Sequence, residues 1–141
     1  MHRSTECAAE STGFSQVAER ETAELVIAHV RQKTVGATML KNTHPFRRGS
    51  FVLAHNGTID GVGWLTSHTS TERRNEIEGE TDSEKLFAFL MTRLDEHGTA
   101  EKSGRRGGSM VALSQADRDG NFLFSDGSTL FAFGKAGAVS S

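Results

Sequence analysis

Apolar residues fall into a few short runs, separated by polar stretches that contain most of the glycines. Residues 25–30 form a continuous apolar run with β-branched members, a pattern that predicts a strand buried on both faces. Residues 50–55 predict a second strand, which ends at Asn56-Gly57, the strongest two-residue signal for a β-hairpin. We therefore expect residues 58–60 to begin a return strand.

Two stretches have helical spacing. Residues 16–24 predict a short helix with Ser15 as its N-cap. A longer helix should begin at Thr81, since Thr81 and Glu84 fit a capping box, and should end before Gly98. Its apolar face is formed by Leu86, Phe87, Leu90, Met91 and Leu94.

The rest of the chain predicts further strands and loops. Residues 121–124 and 129–133 flank Ser125-Asp126-Gly127-Ser128 and predict a hairpin, and residues 110–113 predict a short strand. Two polar stretches are expected at the surface, residues 61–80 and the basic loop 99–108. Residues 1–13 are expected to form a disordered tail and 136–141 a frayed end, which leaves one domain at residues 14–135.

Bulk composition narrows the class of protein. A length of 141 residues suits one domain, and a net charge of -2 argues against a dedicated nucleic-acid binder. No apolar run approaches the roughly 20 residues that span a bilayer, and residues 1–6 lack the apolar core of a signal peptide. The single cysteine, Cys7, excludes an internal disulfide framework. We expect a cytoplasmic protein that binds neither nucleic acid nor membrane.

Four motifs follow one another along the chain. They are His29-Val30-Arg31-Gln32-Lys33-Thr34-Val35-Gly36, Asn42-Thr43-His44-Pro45, His55-Asn56-Gly57 and Glu80-Thr81-Asp82-Ser83-Glu84. In this order and spacing they resemble the glutamine amidohydrolase domain of class II glutamine amidotransferases, a branch of the N-terminal-nucleophile hydrolases. The resemblance covers residues 14–134 and implies an α+β fold, an incomplete αββα sandwich of two packed sheets. It implies hydrolysis of the side-chain amide of glutamine, or of another γ-glutamyl amide, to glutamate and ammonia.

The resemblance assigns the amino-acid end of this substrate to three residues. Arg31 would bind the carboxylate, because its planar fork donates two parallel hydrogen bonds, and Thr34 would support it. The alternative for Arg31 is an ion pair with a surface glutamate. Asp82 would bind the substrate ammonium, and its alternatives are helix capping and a favourable place at the positive end of a helix. The capping box assigns capping to Thr81 and Glu84, which leaves the Asp82 carboxylate available. Lys33 departs from the family pattern, which has a small residue there.

The same resemblance assigns the reacting amide to Asn56 and Gly57. The Asn56 side-chain amide and the Gly57 backbone N–H can both donate to one developing oxyanion. The alternative is that Asn56-Gly57 is only a turn, although a turn can also orient such donors.

The family's nucleophile is an N-terminal cysteine whose α-amine acts as the base. This chain starts Met1-His2, and Cys7 precedes Arg31 by only 24 residues. We therefore expect Cys7 to be an inert exposed thiol, and the family's first strands to be missing. Three alternatives stay open: a fragment, a degenerate homologue that only binds γ-glutamyl ligands or a partner, and a sheet completed by a second chain.

Three histidines, His29, His44 and His55, raise the question of a metal site. They have neither HExxH-like nor helical-pair spacing, and no cysteine cluster accompanies them. We therefore expect no metal and no cofactor, and a small-molecule substrate as the ligand.

Overall fold

The fold is built around one antiparallel sheet and a long helix. The computed structural model describes residues 1–23, 25–30, 39–98 and 120–134. Within these ranges the strands, in the order β1-β2-β3-β4 across the sheet, are β1 (Phe46–Arg48), β2 (Phe51–Asn56), β3 (Asn121–Ser125) and β4 (Leu130–Gly134). The helices are α1 (Thr12–Arg20), α2 (Val62–Ser67), α3 (Thr71–Asn75) and α4 (Asp82–His97), and a 3₁₀ turn spans Leu40–Asn42. This combination confirms the predicted α+β class.

The core lies between β2, β3 and the apolar side of α4. In the register of the sheet Leu53 lies opposite Phe124, and both are buried. Leu86 and Phe87 of α4 are also fully buried, and the Phe87 ring meets the edge of the Phe124 ring at 6.4 Å between centroids. The predicted apolar face of α4 is confirmed, and burial of such side chains is the main force that holds helix to sheet.

The hairpin predicted near the C-terminus is confirmed. β3 and β4 pair antiparallel, and the Asp126 side chain organises the connection by accepting hydrogen bonds from the backbone N–H groups of Ser128 and Thr129. These two N–H groups lower the pKa of the Asp126 carboxyl. Gly127 has φ +97°, a left-handed conformation that glycine adopts readily.

Helix α1 begins four residues earlier than predicted. Ser11, not Ser15, caps it, because the buried Ser11 hydroxyl accepts a hydrogen bond from Phe14 N–H. Ser15 lies inside the helix and donates its hydroxyl to the carbonyl of Ser11. Both serines have the chemistry of a cap, and the burial of Ser11 is tertiary information that the pattern does not contain.

The strand predicted at residues 25–30 is wrong. This segment has no regular structure, and Val26 and Val30 are 67% and 72% exposed. A strand needs a neighbour that pairs with its backbone, and none of the described strands pairs with this segment. Its contact with the sheet is made by a side chain, that of His29, described below.

The return strand predicted at residues 58–60 is also wrong. A type I′ hairpin needs positive φ at both central residues, whereas only Gly57 has it and Asn56 does not. Both neighbours of β2 are other strands, β1 and β3, and the chain after Gly57 continues toward α2. Ile59 is buried in this connection, which makes it an ordered loop rather than a strand.

Residues 61–80 are more structured than the predicted surface excursion. They contain α2 and α3, which pack against α4, and Leu65 of α2 is fully buried. The start and end of α4 are as predicted: Thr81 accepts from Glu84 N–H, and Gly98 follows at φ +79° with its N–H bonded to the carbonyl of Leu94. None of the helices in the described ranges has the length and apolarity to cross a membrane.

Arg73 of α3 is joined to α4 through Asp95. The guanidinium makes two hydrogen bonds to this carboxylate, at 2.7 and 2.8 Å, and a third at 2.8 Å to Glu76. The hydrogen bonds from Arg73 lower the pKa of the Asp95 carboxyl. The predicted strand at 110–113, the basic loop 99–108 and the frayed end 136–141 lie outside the described residues.

Acidification should weaken the fold partly through Asp95. Because the folded-state pKa of Asp95 is depressed, its contribution to stability is present above the ordinary value of 3.8 and is lost as the pH falls through the lower, folded-state pKa. Urea unfolding at pH 7 and pH 3 should show a smaller acid loss in Asp95→Asn than in the unmodified protein. The difference should be below about 1 kcal/mol, since the pair is partly exposed. An equal acid loss in both proteins would contradict this assignment.

Candidate functional site

The end of β2 lies against the start of α4. Buried His55, on β2, has its Nδ1 2.9 Å from the hydroxyl of Ser83, on the first turn of α4. Four residues along the chain, the backbone N–H of Ile59 donates to Asp82 Oδ2 at 2.8 Å. These two hydrogen bonds hold both sides of the segment that contains Asn56 and Gly57 against the first turn of α4, where Asp82 lies.

Gly57 occupies a position that has no room for a side chain. Its φ is +138°, and a Cβ there would lie 2.6 Å from the Cα of Gly120, at the start of β3. Asn56 pairs in the sheet with Asn121, and both Asn56 and Gly57 are solvent-exposed. This end of β2 therefore carries an asparagine and a glycine that are both accessible to solvent.

Asp82 is half-buried at the N-terminus of α4, where a negative charge is favourable. The expectation that capping by Thr81 and Glu84 leaves this carboxylate available is only partly met. One oxygen accepts from Ile59 N–H and the other from Ser83 N–H at 2.9 Å. Since a carboxylate has about four acceptor positions, there is still capacity for a ligand ammonium.

The three histidines lie together behind the end of β2. His29 Nε2 donates to the carbonyl oxygen of His55 at 3.0 Å, and its ring contacts that of His44 at 4.2 Å between centroids, with the two planes tilted by 34°. His44 in turn meets the edge of Phe46 at 4.7 Å. Across the described ranges, no three His, Cys, Asp or Glu side chains group as a metal site would require.

Glu84 departs from the reciprocal capping box. Its buried carboxylate accepts from Glu78 N–H at 3.1 Å and Gly79 N–H at 2.7 Å, and pairs with Arg48 at 2.9 Å. It therefore fixes the segment that leads into α4. Fully buried Asn42 holds the same segment, because its Oδ1 accepts from Glu80 N–H at 3.0 Å.

These contacts join all four sequence motifs. His29 of the first motif touches His44 of the second and His55 of the third. Asn42 of the second motif and His55 of the third both bond to the fourth. Residues far apart in the chain thus form one contiguous site.

Sequence reasoning missed the part that Ser83 plays. A signal was available, because Ser83 lies four residues before Phe87 and seven before Leu90, on the apolar face of α4. A hydroxyl on such a face must find a buried partner, here His55.

Two predicted ligand-binding residues, Arg31 and Thr34, lie outside the described residues, as does Lys33. Cys7 is described, and its side chain is exposed. Its carbonyl oxygen accepts from the N–H groups of Glu10 and Ser11, in the turn that leads into α1.

Comparison with known proteins identifies the family. The family model described as "Glutamine amidotransferases class-II" matches residues 5–139. The chain is 37% identical over 107 residues to DUG3 of Saccharomyces cerevisiae, described as a "Probable glutamine amidotransferase", and 38% identical over 119 residues to YafJ of Escherichia coli, provisionally described in the same terms. These alignments cover 73% and 77% of this chain but only 30% and 44% of the relatives.

A solved structure shows the same likeness in three dimensions. It is a glutamine aminotransferase class-II domain protein from Silicibacter pomeroyi, which matches with a TM-score of 0.65 and 25% identity. The match covers 96% of this chain and 61% of that one. It confirms the predicted fold of the N-terminal-nucleophile hydrolase type, of which the described residues form one sheet with its helices. The chain therefore belongs to the class-II glutamine amidotransferases.

Proposed function

We propose that this chain binds glutamine, or another γ-glutamyl amide, in the cytoplasm and promotes hydrolysis of its side-chain amide to glutamate and ammonia. The observation that carries the proposal is the meeting of β2 with the start of α4. Two hydrogen bonds, from His55 to Ser83 and from Ile59 N–H to Asp82, hold both sides of the segment that carries the candidate donors Asn56 and Gly57 against the start of α4, and this supports the proposal. An α-amino acid with a distal amide carries the complementary groups: an ammonium for Asp82 and a carbonyl oxygen for the two donors.

The donors would act on the step in which charge develops. When a nucleophile adds to the amide carbon, the carbonyl oxygen becomes an oxyanion, and the Asn56 amide and Gly57 N–H stabilise it. Loss of one such donor costs on the order of 10²–10³ in rate in a well-studied protease. Collapse of the intermediate breaks the carbon–nitrogen bond, and the nitrogen leaves as ammonia with the proton that the nucleophile has lost. Water then cleaves the bond between the acyl group and the nucleophile and releases glutamate.

Arg31 and Thr34 complete the proposal at the other end of the ligand. Arg31 donates two hydrogen bonds to the α-carboxylate and Thr34 supports it. What supports this assignment is sequence position: Arg31 follows by two residues His29, whose side chain is bonded to the carbonyl of His55.

The environment of Cys7 favours a second candidate, binding of the γ-glutamyl ligand without turnover. The Cys7 side chain is exposed, and its backbone carbonyl belongs to the turn that leads into α1. In this alternative Asn56, Gly57 and Asp82 keep their ligand-binding roles, and no glutamate is released.

Glutamate release from glutamine by the purified chain decides between the two candidates. The intact mass of the same sample shows whether Met1 to Glu6 has been removed, which would make Cys7 N-terminal. Release that disappears in Cys7→Ala supports hydrolysis by a processed chain. Calorimetric binding of glutamine without release supports the second candidate, whereas neither binding nor release would overturn both.

Arg31→Ala should weaken glutamine binding by roughly 10- to 100-fold, because hydrogen bonds to a charged partner contribute about 1.5–3 kcal/mol. Isothermal calorimetry measures the loss. Arg47→Ala is the matched control, since Arg47 is an exposed arginine on β1 whose guanidinium donates to the nearby carbonyl of Gly49. Equal affinities of Arg31→Ala and the unmodified protein would place the carboxylate site elsewhere.

A further inference from the structure

The hydrogen bond between His55 and Ser83 has no part in the proposed chemistry, although both residues are buried next to the candidate site. The two residues are 2% and 4% exposed, and the distance from His55 Nδ1 to Ser83 Oγ is 2.9 Å. His55 immediately precedes Asn56, and Ser83 immediately follows Asp82. The bond therefore connects the residue before the oxyanion donors to the residue after the ammonium-binding carboxylate.

A second bond closes the other side of the same loop. Asp82 Oδ2 accepts from the N–H of Ile59, two residues after Gly57. The donors at 56 and 57 thus lie between two anchors, at 55 and 59, and both anchors are held by consecutive residues of the first turn of α4. A segment this short, fixed on both sides, has little freedom to change the direction of its N–H groups.

The His55 anchor is itself fixed. Its backbone carbonyl accepts from His29 Nε2 at 3.0 Å, while its ring nitrogen bonds to Ser83. The Ser83 hydroxyl also lies 3.4 Å from Asp82 Oδ1. The backbone of His55 is thus held by His29, and its side chain is held by Ser83 of α4. The hydroxyl of Ser83 lies between the His55 imidazole and the Asp82 carboxylate.

We propose that Ser83 and His55 are positioning residues, which hold the Asn56 and Gly57 donors in fixed orientation relative to Asp82. The inference rests on the proposed function, since it assigns a purpose to those donors. Preorganised donors stabilise an oxyanion only when they are held within tenths of an ångström of the productive geometry. A loosened anchor at His55 therefore weakens binding of an anionic oxygen more than binding of a neutral amide oxygen.

Ser83→Ala tests this, with Thr92→Ala as the matched control. Thr92 is a buried residue of the same helix, and it too has a hydroxyl that is hydrogen-bonded to another segment, because it accepts from Ser70 N–H. Thr92 lies more than two turns of the helix away from Ser83. In ¹⁵N–¹H spectra of the full chain, Ser83→Ala should shift the Gly57 backbone amide and the Asn56 side-chain amide, and Thr92→Ala should leave them in place. Unchanged Asn56 and Gly57 signals in Ser83→Ala would overturn the proposal.

The ratio of the affinities for two ligands provides a second readout, because a general loss of stability would weaken the binding of both ligands equally. Glutamate carries an anionic oxygen where glutamine carries a neutral one, and hydrogen bonds to an anion are roughly twice as strong. Ser83→Ala should therefore raise the Kd for glutamate on the order of fivefold more than the Kd for glutamine. A parallel loss for both ligands would contradict a positioning role.

The two readouts separate failure of the inference from failure of the proposed function. If the unmodified protein binds neither ligand, the proposed function fails, and the amide signals still decide whether Ser83 orients the donors. If Ser83→Ala does not fold, Ser83→Cys carries the same comparison, because it fills the position with a similar volume and a weaker hydrogen-bonding group. Amide shifts in that variant support the inference, and coincident spectra overturn it.

Discussion

Gly57→Ala is expected to destabilise the fold and, at the same time, to abolish the function of the proposed oxyanion donors. A Cβ at this position would lie 2.6 Å from the Cα of Gly120, a backbone atom that cannot turn away, and φ +138° is strained for alanine. We expect the free energy of unfolding to fall by about 2–4 kcal/mol. We also expect glutamate release, or binding of glutamate if the chain does not turn over, to fall on the order of 100-fold or more. Urea unfolding and a glutamate-release assay or calorimetry measure the two effects.

Substitutions at two other glycines separate the effect of the steric clash from that of backbone strain. Gly98 shares the positive φ but has open space around its Cβ position, so Gly98→Ala reports backbone strain alone, about 1 kcal/mol. Gly63 lies within α2 with open space and no positive φ, so Gly63→Ala should stabilise by up to about 1 kcal/mol. If Gly57→Ala cost no more than Gly98→Ala, the close approach of β2 to Gly120 would be less rigid than described.

The second large effect is expected from Glu84→Gln, which keeps the side-chain volume and removes the charge. Both carboxylate oxygens face donors: Oε1 accepts from Glu78 N–H and Arg48, and Oε2 accepts from Gly79 N–H. Whichever oxygen becomes an NH₂ group then points at another donor, inside a site where Glu84 is only 2% exposed. We expect a loss of about 2–4 kcal/mol in urea unfolding, below the full range for a buried ion pair because Arg48 keeps some contact with water.

Glu78→Gln is the control for this substitution. Glu78 lies in the same segment and is exposed, so its substitution should change stability by no more than about 0.5 kcal/mol. A loss in Glu84→Gln as small as that in Glu78→Gln would show that the buried carboxylate is not needed to hold residues 78–80.

Sequence patterns predicted the elements whose signals are local. The start and end of α4 depend on a hydroxyl at Thr81 and a glycine at Gly98, and both act through neighbours within four residues. The β3–β4 hairpin is determined in the same way by Asp126 and Gly127. Motif order was also sufficient to identify the family, because four short motifs in sequence are improbable by chance.

The errors occurred where the outcome depends on distant partners. The run at 25–30 has the composition of a strand, but a strand is decided by the neighbour that pairs with it. Asn56-Gly57 has the composition of a hairpin turn, but the Gly57 conformation is set by Gly120 and by the anchors on α4. For the site, the motifs indicated Asn56, Gly57 and Asp82 as candidates. The part of Ser83 could have been found from its place on the apolar face of α4, whereas that of Asn42 follows only from burial.

The first turn of α4 depends on residues far along the chain, and this has a consequence for how the protein folds. Its side chains at 82, 83 and 84 bond to partners 23, 28 and 36 residues away. Such contacts form only after long loops have closed, so while the sheet is absent this turn keeps its short-range hydrogen bonds, the Thr81 cap and those from Glu78 and Gly79 N–H to Glu84, but loses its long-range ones. The candidate site should therefore appear late in folding and in a single cooperative step with the sheet. In native-state hydrogen exchange, the amides at the start of α4 should open together with the strands, not by the independent fraying that is usual at helix ends.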